Sequence, residues 1–91
     1  MFQTGNTIRL TCSFFGFDGK AVNPQIVRVI IYDVLYKKIK EVTLTETNKI
    51  KDGEYYFDYI PTKEGRVYYE WYGEIAGNPS IKRGTIEAKF I

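Results

Sequence analysis

An all-β fold, with six to seven short antiparallel strands in a two-sheet sandwich, is what this 91-residue sequence predicts. Three observations carry that expectation. Valine, isoleucine, tyrosine, phenylalanine and threonine predominate over alanine and leucine, as suits a pleated, half-buried surface. Apolar and polar residues alternate with period two in successive stretches, and Gly, Pro, Asn and Asp punctuate them. No stretch has a sustained helical period, and no internal repeat or low-complexity segment interrupts the pattern. A chain of this length buries roughly 60 to 65% of its unfolded surface in one core, so residues 1–91 are expected to form a single domain.

The elements follow in order. In "TIRLTCSF" (7–14), Ile8, Leu10, Cys12 and Phe14 share one face, while Thr7, Arg9, Thr11 and Ser13 share the other, as in a half-buried strand. "GFDGKAVNP" holds an Asp-Gly step and a proline and reads as a long turn. "QIVRVIIYD" (25–33) presents Val27, Val29 and Ile31 inward, and Arg28 marks the opposite face as outward. "KIKEVTLTE" is expected to form an edge strand with Val42 and Leu44 alternating. A helix using Ile39, Val42 and Ile50 is the competing pattern, which the run Val42 to Thr45 resists.

After the Asp52-Gly53 turn, either parity of "EYYFDYIP" contains aromatic residues. Burying Asp58 unpaired would cost several kcal/mol or force its protonation, so Tyr55, Phe57 and Tyr59 are placed inward and Pro61 ends the strand. The same test applies to "VYYEWYG" after the turn "TKEGR". Glu70 has no basic neighbour of obvious register, which sends Tyr68, Glu70 and Tyr72 outward and Val67, Tyr69 and Trp71 to the core. "AGNPSIKRG" reads as a loop. "TIEAKFI" then alternates, with Ile86, Ala88 and Phe90 inward.

The succession "GNTIRLTCSFFGFDGKAVNP", "VRVIIYD" and "DGEYYFDYIPTKEGRVYYEWYGE", followed by a closing strand, resembles bacterial and phage immunoglobulin-like modules of macroglobulin or fibronectin type. In these, "G-x-Y-x-F-x-P" leads through a Gly turn into "G-x-V-x-Y-x-W". The resemblance spans Gly5 to about Ile91 and implies an immunoglobulin-like antiparallel β-sandwich. It departs from antibody domains in having one cysteine, so no inter-sheet disulfide forms, and in the late position of Trp71. By analogy it implies a small structural or assembly protein encoded among phage or prophage structural genes.

Composition removes several kinds of chemistry. Without histidine there is no Ser-His-Asp or Cys-His catalysis, and the commonest zinc ligand is missing. Cys12, the only cysteine, reads as a small core hydrophobe rather than a reactive thiol, and no intrachain disulfide is available. Asp58 and Glu70 are the only carboxylates flanked by aromatics as in a glycosidase cleft, but strands in different sheets would point them to opposite sides. Asp18, Asp33 and Asp52 lie near turns where calcium could bind, although two of them precede glycine, where the turn alone explains them. No catalytic residue, metal site or cofactor is therefore expected, and the protein is expected not to be an enzyme.

The net charge of +2 comes from thirteen basic and eleven acidic side chains, well mixed along the chain. No nucleic-acid or membrane arm is expected, and the run "YKKIKE" reads as a solvated edge or turn. No basic segment followed by an apolar run opens the chain, and no stretch approaches a membrane span. A cytoplasmic or virion-associated location follows as an expectation, for either a complete protein or a module of something longer.

The remaining candidate is the outward face carrying Arg28, Ile30, Tyr32, Tyr68, Glu70 and Tyr72. Tyrosine and arginine are enriched at interfaces, and exposed tyrosines also suit strands without any further role. Two functions compete for the face: a non-enzymatic structural or protein-interaction module, binding a protein partner or its own copy through this face or an edge strand, and a carbohydrate-binding module using surface aromatics. A nucleic-acid barrel with stacked rings would need a basic strip that the mixed charge does not supply.

Overall fold

The computed structural model describes residues 2–3 and 5–89. In chain order the strands are β1 (Phe2–Gln3), β2 (Ile8–Ser13), β3 (Ile26–Tyr32), β4 (Lys38–Thr43), β5 (Lys49–Lys51), β6 (Glu54–Tyr59), β7 (Gly65–Ile75) and β8 (Asn78–Lys89). A 3-10 turn, Glu46–Asn48, precedes β5. The strands make two sheets, ordered β1-β8-β7-β3-β4 and β2-β6-β5. All pairings are antiparallel except β1 with β8.

Period-two alternation decides what lies between the sheets. Ile8, Leu10, Cys12, Tyr55 and Phe57 from the smaller sheet meet Val27, Val29, Ile31, Trp71 and Ile86 from the larger one in a single apolar cluster. Phe14 seals one end of it, with its ring edge-on to Tyr55 at 6.0 Å. That ring lies against the backbone of Gly73, where an added Cβ would come within 2.5 Å of the Phe14 Cε1. Outside the smaller sheet, Asp58 sits directly opposite Arg9, whose Nε and Nη2 donate to its two carboxylate oxygens over 2.8 and 2.9 Å.

The expected strands and their inward residues are present, including β4 as a sheet edge with Leu44 buried beyond it. Phe90 lies outside the described residues. One expectation is corrected. The stretch read as the loop "AGNPSIKRG" is mostly strand, because β8 starts at Asn78 and pairs continuously with β7. Ala76 and Gly77 alone make the turn, with φ of 51° and 81°, as a two-residue hairpin turn requires. Pro79 is tolerated because, among the described residues, β1 pairs only with Ala88 and Lys89 and leaves the rest of the β8 edge open. Gly84 is equally compatible with the strand, since the Tyr69 ring fills the space above it.

Candidate functional site

The outward face of the larger sheet is built in cross-strand rows. Arg28 lies opposite Tyr72, Ile30 opposite Glu70, and Tyr32 opposite Tyr68. On the other side of β7, Tyr68 lies opposite Thr85, Glu70 opposite Arg83, and Tyr72 opposite Ile81. All six sequence-predicted residues therefore share one face, because their parity on β3 and β7 is the one the core residues do not use.

Two expectations about that face change. Ile30 points outward but is only 7% exposed. It lies between Glu41 and Glu70, each tied into an ion pair, which cover it. Glu70 does have a basic neighbour. Arg83 Nε donates to Glu70 Oε1 over 2.9 Å, and the Tyr32 hydroxyl donates to Glu70 Oε2 over 3.3 Å. The carboxylate is thus held from two sides on a half-buried surface. Burial, and then the adjacent Glu70 charge, push the Tyr32 phenol above its ordinary value. The Arg28 guanidinium stands 5.4 Å from the Tyr72 ring centroid, within reach of a cation–ring contact.

The hairpin between β3 and β4 adds residues that pattern reading missed. Asp33 Oδ1 accepts the backbone N–H groups of Leu35 and Lys37 over 2.9 Å each, and Tyr36 N–H donates to the Asp33 carbonyl. Tyr36 ends this turn in the left-handed region, with φ of 61°, and the ladder is bulged between Ile31 and Tyr32. The Tyr36 ring consequently folds back and stacks on Tyr68, centroids 4.7 Å apart and planes 17° from parallel. Tyr32, Tyr36, Tyr68, Glu70, Arg83 and Thr85 border an open groove of about 550 Å³. Tyr36, which borders it, is 68% exposed, and Val34 and Leu35 before it in the same hairpin are 57% and 73% exposed. The stretch "DVLYK" carried one available signal, an aspartate placed to cap a tight turn between strands. Arg83 had none while its segment read as loop.

The acid-base candidates are not brought together. Asp58 and Glu70 lie in different sheets, each paired with its own arginine. Asp18 and Asp33 accept backbone N–H groups within their own turns, and Asp52 accepts from Asn23 Nδ2. Among the described residues no group of three or more His, Cys, Asp or Glu side chains is arranged to hold a metal ion. Cys12 is buried, and burial pushes its thiol above the ordinary value although the Lys82 charge pulls the other way. Among the described residues no helix is long and apolar enough to cross a membrane.

Comparison of the chain with protein-family models, curated proteins and solved structures finds no match.

Proposed function

We propose that the protein is a non-enzymatic interaction module with an immunoglobulin-like sandwich, which binds a protein partner through the tyrosine face of its larger sheet. Strand order supports the architecture. The second, sixth and fifth strands make one layer, and the eighth, seventh, third and fourth run side by side in the other. Immunoglobulin domains order their B, E, D and G, F, C, C′ strands in this way.

The observation that carries the binding role is the stack of Tyr36 on Tyr68, continuous with the exposed Val34 and Leu35. A bulky residue in the left-handed region costs on the order of 1 kcal/mol or more, and here it holds a ring at the rim of an open groove. Rigid tyrosines bordered by arginines and a small apolar projection match the composition of protein interfaces. Sugar binding is the weaker candidate, because the single indole, Trp71, is 1% exposed and cannot stack on a ligand.

Sedimentation and calorimetric titration against partners encoded beside the gene test this. The Tyr68→Ser/Tyr72→Ser and Leu35→Asp variants are expected to fold and to lose binding at least tenfold. Unchanged partner binding by both variants would overturn the proposal. Specific glycan binding lost on Tyr36→Ala would replace it with carbohydrate recognition.

A further inference from the structure

The sheet edges are treated unequally. β4 carries a bulge, Lys38 and Lys40, and Lys40 extends over the Phe57 ring at 5.8 Å. β5 is three residues long, with lysine at both ends and a register shift. β8, open beyond β1, carries Pro79, Lys82, Arg83 and Gly84. Short length, lysines, bulges and proline are the means by which an edge is kept from pairing with another chain.

Within its own residues β2 has none of them, and Lys82 of β8 covers only its Ser13 end. Its six residues, Ile8–Ser13, pair with β6 without a register shift and meet no strand on the other side among those described. They include no proline, glycine or lysine, and the one charge, Arg9, is already neutralised by Asp58. The hydrogen bonds show which groups face the open edge. Phe14 N–H donates to Gly53 on the β6 side, whereas the Ser13 carbonyl accepts from Lys82 Nζ over 2.7 Å, outside the sheet. Backbone alternation then leaves the N–H and C=O groups of Arg9, Thr11 and Ser13 pointing away from β6.

We infer that β2 is a pairing edge and that its occupant is β2 of a second copy, antiparallel about a twofold axis at Thr11. A twofold normal to the sheet requires paired residues of equal parity. Centring on Thr11 sets Thr11 against Thr11 and Arg9 against Ser13, so every outward backbone group of these three residues finds a partner. Centring on Leu10 would leave Ser13 paired only with Thr7, beyond the strand. The chosen register places no like charges opposite each other, and Leu10 continues the inner apolar face against Cys12 of the copy. The Ser13 carbonyl keeps Lys82 and exchanges its long 3.9 Å contact from the Cys12 thiol for the Arg9 N–H of the copy. Two three-stranded sheets thereby become one of six strands. This interface is separate from the tyrosine face.

Sedimentation equilibrium over a range of protein concentrations tests the pairing, with Trp71 fluorescence confirming that each variant is folded. The wild type is expected to dimerise reversibly. Thr11→Lys and Thr11→Glu, each alone, are expected to weaken dimerisation at least tenfold by setting like charges against each other, and an equimolar mixture of the two should restore it. Thr43→Lys, on the guarded β4 edge, should leave it unchanged. A wild type that stays monomeric, or a dimer indifferent to Thr11 and lost in Thr43→Lys, would overturn the inference. Loss only in Tyr68→Ser/Tyr72→Ser would also overturn it while leaving the tyrosine face as an interface.

Discussion

Glu70 and Arg83 face each other directly across β7 and β8, joined by a 2.9 Å hydrogen bond on the outer face of the larger sheet. The glutamate side chain is 14% exposed and the arginine 72%, so the pair is neither freely solvated nor buried. Arg83 therefore matters more to Glu70 than a typical surface partner would. A double-mutant cycle of Glu70→Gln and Arg83→Met in urea denaturation should give a coupling of about 0.5 to 1 kcal/mol. Added salt should reduce it, and Tyr32→Phe should weaken it through loss of the second hydrogen bond to the carboxylate.

Stability and binding should separate at Tyr36. Replacing it with glycine or asparagine relieves on the order of 1 kcal/mol of backbone strain and loses a ring stack worth about 0.5 to 1.5 kcal/mol. Thermal denaturation should show a change within about 0.5 kcal/mol, since the two effects oppose. Partner binding should nonetheless fall, because the ring at the groove rim is gone. A variant that is clearly destabilised would mean the stack outweighs the strain.

The fold was legible wherever burial follows strand parity. Val27, Val29 and Ile31 alternate with residues that tolerate water, and assigning Asp58 outward placed Tyr55 and Phe57 in the core without structural knowledge. Parity also placed all six candidate residues on one face. It was silent on coverage, so Ile30 was expected to be exposed when its neighbours enclose it. The start of β8 was hidden because Asn78, Pro79 and Gly84 are turn-formers by type, whereas the actual turn needs only Ala76 and Gly77. Losing that segment also lost Arg83. Tyr36 was hidden for the opposite reason: left-handed backbone is ordinarily marked by glycine or asparagine.

The two ends of the pH range should destabilise through different groups. The hydrogen bond from Arg9 holds the Asp58 carboxyl below its ordinary value, and Lys38 does the same for Glu41. A depressed folded-state pKa stabilises only above the unfolded value of about 4, and that stabilisation disappears as the pH falls through the folded value. Burial raises the phenols of Tyr55 and Tyr59. Their contribution is complete below the unfolded value of about 10 and is lost as the pH rises through the folded one. Melting temperature should therefore be level near neutrality, fall below about pH 4 and fall again above about pH 10. Asp58→Asn should make the acid limb shallower, with the Glu41 contribution remaining, and leave the alkaline limb unchanged.

The core should be most sensitive where Phe14 meets Gly73. The Phe14 ring occupies the space above Gly73, and Phe14 is itself 1% exposed, so neither residue can move outward to make room. Gly73→Ala should cost about 1 to 3 kcal/mol by overpacking, whereas Trp71→Ala should cost about 3 to 5 kcal/mol by leaving a cavity. Trp71→Phe should be milder than its lost volume suggests, because the buried Trp71 Nε1 has no hydrogen-bond partner to lose. The two modes are separable in denaturant titrations. Phe14→Leu should recover part of the Gly73→Ala loss by vacating the contact, while it should worsen Trp71→Ala by enlarging the void. Additive losses in Gly73→Ala/Phe14→Leu would show that the ring retreats by another route and that the glycine is not what admits it.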